Sequence, residues 1–443
     1  MNRRRTSSAG ARPARGTTDR VVVTGLGVVS PIGIGVDTFW KSALAGRSGV
    51  VALPAFENLP AEAYRSRVAG QVLDFDPGRL PEQIHAERLD RYAQLALLAT
   101  QEAVENSGLR LERENPRRVG VVVGAGMGGM VIGEEEFYKV YQHLRPHRVH
   151  PNFIPMITLN SASGIIAIAL GAKGVNLTIS TACSSSAHAI GHALNAIRTG
   201  QADVILASGA DASLTPLTVA GFCALRALST AFNAEPARAS RPFDRKRDGF
   251  VMGEGAGTLV LESLRHAVKR KARIYAEVAG YAATSEAHHM VMPKEDGSKM
   301  ATTMALALED AGVSPAEVDH VNAHATATPL GDPVEVTAIR RTFGRRADRI
   351  TIAATKSLIG HTLGAAGALG GIASILALET GLVHPTVNYE DPDPACALGG
   401  ISNEVQERPT MRVALLNAFG FGSNNAVVVL KKSPVPAARA RKR

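Results

Sequence analysis

Recurring apolar runs, each opening onto a turn rich in glycine or small residues, constrain this chain more than any other feature. They are RVVVTGLGVV (20–29), RVGVVVGAGMGG (118–129), VNLTISTACS (175–184), ADVILASGAD (202–211), AGTLVLES (256–263), ITIAATKS (350–357) and RVALLNAFGFG (412–422). Near-continuous Val, Ile and Leu imply strands buried on both faces. Helical stretches such as AQLALLATQEAVENSG (93–108) and AHAIGHALNAIRTG (187–200) separate them, which is the pattern of an α/β protein. A second half begins at ARIYAEVAGY (272–281) and repeats the programme. The helix TTMALALEDAG (302–312), the strand DHVNAHA (319–325), a helix, ITIAATK, a long helix and RVALLNA as the last strand follow. No residue-level repeat is legible, but two similar βαβ programmes are. Charge-rich connectors at 235–248 and 263–273 lie between them. The predicted organisation is a basic tail (1–19), a first half (20–271), a second half (272–432) and a second basic tail (433–443).

A chain of 443 residues with 45% apolar side chains can bury a large core, so disorder is excluded as the main state. No run of about eighteen apolar residues is evident, which argues against a membrane span. The N-terminal arginines are not followed by an apolar stretch, so no secretory signal is expected; an organelle transit peptide is a weaker alternative. The net charge of +9 is concentrated at the ends. Residues 1–20 carry +5 and residues 431–443 carry +6, which leaves −2 for the body. Such tails are solvated rather than nucleic-acid-binding, and no aromatic residue is interleaved for base stacking. Cys183, Cys223 and Cys396 are far apart, with no C-x-x-C pair, so neither a disulfide framework nor a metal site is expected. A reducing, cytoplasmic setting fits.

Cys183 follows the strand VNLTIS and precedes a helix whose apolar stripe is Ile190, Leu194 and Ile197. Small neighbours (Thr181, Ala182, Ser184) permit a sharp elbow, and the helix N-terminus would favour a thiolate. A buried inert cysteine is the competing reading, and it is kept for Cys223 and Cys396. His324 ends a predicted strand, and Asp332, Pro333 and Glu335 read as the capping box of the next helix. Lys356 and His361 follow another strand. Carboxyl ends of strands form the site in open α/β sheets, and Cys183, His324, Lys356 and His361 all fall there. AFGFGSNN (418–425) can present backbone N–H groups to an oxyanion. It is not a phosphate loop, and GAGMGG (124–129) lacks the acidic partner of a dinucleotide site. A thiolate with two imidazoles suits nucleophilic catalysis with stabilisation of an enolate at a thioester, rather than activation of water.

TACSSS around Cys183, VNAHATATPLGD around His324, TKSLIGHTLGAAG around Lys356 and His361, and NAFGFGSNN resemble the signatures of elongating β-ketoacyl-[acyl-carrier-protein] synthases, closest to the synthase II group. VVVTGLGVVSPIG and RPFDRKRDGFVMGEGAG (241–257) also match, and the resemblance spans about residues 20–432. It implies a thiolase-like fold, with duplicated βαβαβαββ halves in a five-layered αβαβα body, and a homodimer. It implies a decarboxylative condensation of acyl-ACP with malonyl-ACP through an acyl-Cys183 intermediate, assisted by His324 and His361 and oriented by Lys356. The N–H groups of Cys183 and Phe421 would form the oxyanion hole. Phe419 and Phe421 resemble gate residues, and Met127 and Phe153 pocket-lining ones. Thr326 and Thr328 match pantetheine-binding positions. Arg226 and Arg148, with Arg65 and Arg67, match docking positions for the acyl carrier protein. No cofactor is implied beyond the carrier's phosphopantetheine, and no nucleic acid or membrane partner.

Departures from the common pattern are Ser423 and Asn424 in the glycine loop, HATAT for HGTST, Gly370 where a glutamate is usual, and SEAHHMV (285–291) for the usual malonyl-side loop. The alternative is the ketosynthase of a type II polyketide or polyene pathway, paired with a chain-length-factor-like subunit. A non-catalytic chain-length partner would lack Cys183. A thiolase would carry a second catalytic cysteine, and an initiating synthase an asparagine in place of His361.

Overall fold

The computed structural model describes residues 19–433, apart from 54, 55, 57 and 58. The predicted basic tails lie outside the described residues, except Asp19 and Ser433. Ten strands form the body of one eleven-stranded sheet, to which the two-residue strand Gly33–Ile34 is appended. In chain order they are β1 (Val21–Ser30), β2 (Val119–Gly124), β3 (Asn176–Ile179), β4 (Val204–Asp211), β5 (Gly255–Ser263), β6 (Ala276–Ser285), β7 (His320–Asn322), β8 (Thr351–Ala353), β9 (Val413–Gly420) and β10 (Asn424–Lys432).

The strand order is β8-β7-β9-β10-β6-β1-β5-β4-β2-β3. Counted outward from the β6–β1 junction, each half runs first, fifth, fourth, second, third. The hydrogen-bond senses match as well. β2 is parallel to β3 and β4, and β7 to β8 and β9. The fifth strand of each half is antiparallel to its neighbours. Two copies of one βαβ programme, joined at β1 and β6, are therefore visible in the topology although no residue repeat is.

Six helices complete the layers: α1 (Arg91–Ser107), α2 (Ser161–Leu170), α3 (Ser185–Arg198), α4 (Ser298–Ala311), α5 (Gly331–Phe343) and α6 (Ala366–Thr380). α3 and α6 pack between the two half-sheets, α1 and α2 cover the outside of the first, and α4 and α5 that of the second. Alternation along the strands shows the same arrangement. Ala414, Leu416 and Ala418 of β9 face the central helices, whereas Val413, Leu415 and Phe419 face α4 and α5. Both strand faces are buried, which is why these runs read as continuous apolar sequence. This is the thiolase-like, five-layered αβαβα fold.

Two sequence expectations need correction. First, Leu363–Thr380 is eighteen residues long and apolar enough to cross a membrane by length and composition, although no such run was expected. It is 89% buried, as the core helix α6 and the turn before it, because sheets cover it on both sides. Gly367 lets it approach α3: a Cβ there would lie 2.7 Å from the Ala187 nitrogen. Second, the charge-rich connector at 235–248 does not lie between the two halves: it precedes β5 and so falls inside the first. Arg241 is fully buried, pairs with Asp244 at 2.9 Å and lies 4.6 Å over the Phe232 ring. The last strand was also missed: RVALLNA is followed by β10, which hydrogen-bonds antiparallel to both β9 and β6.

Candidate active site

The nucleophile candidate sits where the chain turns from β3 into α3. Ala182 adopts φ +52°, a left-handed conformation unusual for a residue with a Cβ, and this turns Cys183 toward the cavity. Hydrogen bonds from Ser184 Oγ to Thr181 O (2.8 Å) and from Ser185 Oγ to Ala182 O hold the elbow. Burial pushes the Cys183 thiol up to about 11; the charge of Lys356 and the backbone N–H groups of Phe421 and Cys183 itself pull it down. The resting sulfur is thus a thiol, not the thiolate expected from the helix N-terminus alone. The elbow also explains the neighbouring glycine loop. A Cβ on Gly420 would fall 2.7 Å from Thr181 O and 3.2 Å from Cys183 N.

His324 follows β7, and His361 follows β8 and the short helix Lys356–Ile359. Their rings meet edge to face with centroids 5.5 Å apart, and Phe419 and Phe250 flank the pair. Burial and the Lys356 charge hold both imidazoles well below their ordinary value, so both are neutral at physiological pH. Nδ1 of His324 and both ring nitrogens of His361 are buried without a hydrogen-bond partner. Two neutral imidazoles with free nitrogen valences are suited to hydrogen-bonding an anionic or carbonyl oxygen.

The His324 loop is set by two carboxylates that local sequence rules misassign. Asp332 and Glu335 are not a capping box, because α5 begins at Gly331 and neither side chain caps it. Instead both point back into the loop. Glu335 accepts from His324 N (2.8 Å), Ala325 N (2.7 Å) and Asn417 Nδ2 (2.9 Å). Asp332 accepts from Ala327 N (3.1 Å) and Phe243 N (2.9 Å). Ala325 and Ala327 have φ of +28° and +67°, and these bonds offset the strain that alanine bears there. Burial raises the Asp332 carboxyl to about 7 and lowers the Lys356 ammonium to about 8, the latter opposed chiefly by the charge of Glu335. Glu335 is therefore the principal counter-charge of Lys356. Gly370 cannot share that role, and a side chain there would have to displace the ends of two others: its Cβ would lie 2.9 Å from Asn322 Oδ1 and 3.0 Å from Leu416 Cδ1.

One cavity of about 540 Å³ joins these groups. Cys183, His324 and His361 line it, as do Met127, Thr326, Thr328, Phe419 and Phe421, with Arg226 among the residues on the side of Leu225 and Phe222. Most of its wall is apolar, which suits a fatty chain or other apolar substrate.

The two sequence profiles of one family match this chain: "Beta-ketoacyl synthase, N-terminal domain" over residues 18–267 and "Beta-ketoacyl synthase, C-terminal domain" over residues 275–390. The chain belongs to the beta-ketoacyl synthase family. It is 43% identical over 413 residues to the 3-oxoacyl-[acyl-carrier-protein] synthase 2 of Coxiella burnetii, covering 93% of this chain and 98% of that protein. The synthase 2 of Vibrio cholerae is 41% identical over 414 residues, with 93% and 99% covered. Among solved structures, the ketosynthase of the AntDE:AntF complex, a type II PKS ketosynthase with its acyl-carrier protein, superposes with a TM-score of 0.87 at 36% identity, covering 94% of this chain and 100% of that one. A beta-ketoacyl synthase from Burkholderia phymatum gives 0.86 at 34% identity, with the same coverage.

Within this beta-ketoacyl synthase, most predicted site residues converge. Lys356 stands behind the cavity rather than in its lining, and its charge reaches Cys183 and both histidines. Three predicted residues, Phe153, Arg148 and Arg67, are not brought in. Phe153 begins the short helix Phe153–Ile157, which packs against Gly129 through Met156 and Ile157, and does not line this chain's cavity. Arg148 is exposed and likewise outside the lining. Arg65 shares a small cleft with Arg226 and Cys223. Cys396 is buried in the second-half core.

Sequence reasoning missed Asp211, at the end of β4. Its buried carboxylate accepts from Gly364 N (2.7 Å), Gly126 N (2.8 Å), Met127 N (3.1 Å) and Ser213 Oγ (3.2 Å). It ties the Met127 wall to the segment just after His361. The only readable signal was the pair Gly126 and Gly364. A Cβ on either would come within 2.7 Å of the Asp211 oxygen.

Proposed function

We propose that this chain catalyses the condensation of an acyl-ACP with malonyl-ACP to a 3-oxoacyl-ACP two carbons longer, in fatty-acid elongation. The observation that carries the reading is a thiol and two neutral, unpartnered imidazoles facing one largely apolar cavity, with the Phe421 N–H at the sulfur. Cys183 Sγ attacks the acyl thioester. The new S–C bond replaces the bond to pantetheine, whose sulfur leaves with the proton. Malonyl-ACP then binds with its thioester oxygen toward His324 and His361. Its C–C bond to the carboxylate breaks, CO₂ leaves, and the imidazoles stabilise the enolate. The enolate carbon attacks the acyl carbonyl, whose oxyanion is held by the amides of Cys183 and Phe421, and the Cys183 thiolate departs. Thr326 and Thr328 hydrogen-bond the pantetheine arm, and Arg226 meets the acidic carrier protein. No cofactor takes part.

The partner of choice is a second copy of the chain. The sheet ends at β3, whose Leu177 is exposed, and Phe137, Tyr141, Leu144, Ile154 and Ile168 lie exposed in the segments leading up to that edge. An open, apolar sheet edge favours association. Phe153 would then serve the neighbouring cavity rather than its own. A polyketide role is the second reading. It is favoured by the type II PKS ketosynthase among the structural relatives. The higher identity to synthase 2 proteins favours fatty-acid elongation. The test is to mix purified protein with acyl-ACP and malonyl-ACP and to follow CO₂ and carrier-bound products by mass. Equimolar CO₂ and 3-oxoacyl-ACP are expected; free fatty acid, or no CO₂, would contradict the reading.

A further inference from the structure

The loop between β9 and β10 closes one side of the cavity and carries the Phe421 amide that reaches the Cys183 sulfur. Residues 286–293 form another stretch of wall. Four hydrogen bonds join these segments. Gly422 N donates to Met290 O (2.8 Å) and Glu286 N to Ser423 O (3.0 Å). The Ser423 hydroxyl donates to His289 O (3.1 Å) and accepts from His288 N (3.4 Å). Half of the connection thus runs through one hydroxyl. Ser423 has φ +66°, a conformation glycine adopts freely and serine adopts only where its surroundings fix it. What serine adds there is the hydroxyl and its two bonds. The adjoining Asn424 tightens the same loop, donating to Phe421 O at 3.2 Å.

We propose that Ser423 is a positioning residue that determines specificity: its hydroxyl clasps the Phe421 loop to the 286–293 loop, so that the entrance to Cys183 widens only when both segments move. Small groups reach the sulfur through the existing opening, whereas bulky apolar ones must part the clasp. That these bulky groups are acyl chains rests on the condensing-enzyme reading; the clasp itself rests on the hydrogen bonds.

The test compares alkylation of Cys183 by iodoacetamide and by N-octyl iodoacetamide, which share one warhead, in full-length wild type, Ser423→Ala and Ser423→Gly. Cys183→Ala reports background labelling at Cys223. Both Ser423 variants should react about fivefold faster with the octyl reagent, the scale of one net hydrogen bond, and within about twofold of wild type with iodoacetamide. An unchanged ratio of the two rates overturns the proposal. So does a rise in Ser423→Gly alone, which would assign the effect to backbone freedom. Loading from a long-chain acyl-ACP should rise in the same proportion. If wild type loads no acyl-ACP of any length, the condensing reading falls, while the alkylation ratio still decides the clasp.

Discussion

Replacing Asp211 by asparagine should make the protein less stable and its nucleophile more reactive at once. The carboxylate is fully buried and bridges three amides and one hydroxyl at 2.7–3.2 Å. Asparagine is nearly the same shape but keeps one acceptor oxygen. If that oxygen stays with Gly126 and Gly364, the new amide group faces Met127 N–H, donor against donor. An orphaned buried amide costs about 1–3 kcal/mol. The two retained bonds lose their charge assistance, about 1 kcal/mol each. Part of this is returned, because burial disfavours the native carboxylate, as its raised pKa shows. A net loss of about 2–3 kcal/mol is expected, read as a lower urea midpoint at constant slope. The charge of Asp211 also raises the Cys183 thiol pKa, so its removal should speed alkylation by iodoacetamide at pH 7. Unchanged stability, or slower alkylation in a folded variant, would refute the assignment of Asp211 as a charged clamp.

Lys356→Met should slow Cys183 alkylation at pH 7, because the ammonium pulls the thiol pKa down. The difference should shrink above pH 8, where Lys356 loses its own proton. The same lysine is held near 8 when folded, below its ordinary 10.5, so the unfolded chain binds more protons between these values. Its contribution to wild-type stability therefore rises with pH across that window, which denaturation at pH 8 and 10 would detect. Gly370→Glu should destabilise by about 1–3 kcal/mol in urea titrations, because its Cβ meets Asn322 and Leu416 at 2.9–3.0 Å. Arg226→Glu should raise KM for acyl-ACP about fivefold and leave alkylation of Cys183 unaffected; an equal KM would remove Arg226 from the docking surface.

The parts of the site legible in the sequence were those written in local pattern. VNLTIS followed by small residues and a helical stripe announces the Cys183 elbow, and His324, Lys356 and His361 each follow an apolar run. The α/β class was legible for the same reason, since strands buried on both faces cannot tolerate polar alternation, whereas the five layers were implied only by the family resemblance. The carboxylates were not. Glu335 satisfies the spacing of a capping box, yet its partners lie ten and eleven residues back and on β9, and only the docking of α5 against the His324 loop reveals this. Asp211 reads as the end of a strand, and its role arises from glycines 85 and 153 residues away. β10 was hidden by FGSNN, whose turn residues look like the end of the fold rather than a hairpin. α6 shows that an apolar helix between two sheets and a membrane span share one composition.

The account turns on Cys183 as an acyl carrier. Its most direct test is the intact mass of the protein after exposure to acyl-ACPs of graded length, with Cys183→Ala in parallel. The account predicts a mass gain of one acyl group in the wild type, absent from the variant and discharged on addition of malonyl-ACP. No adduct at any length, or one that survives in Cys183→Ala, would contradict it.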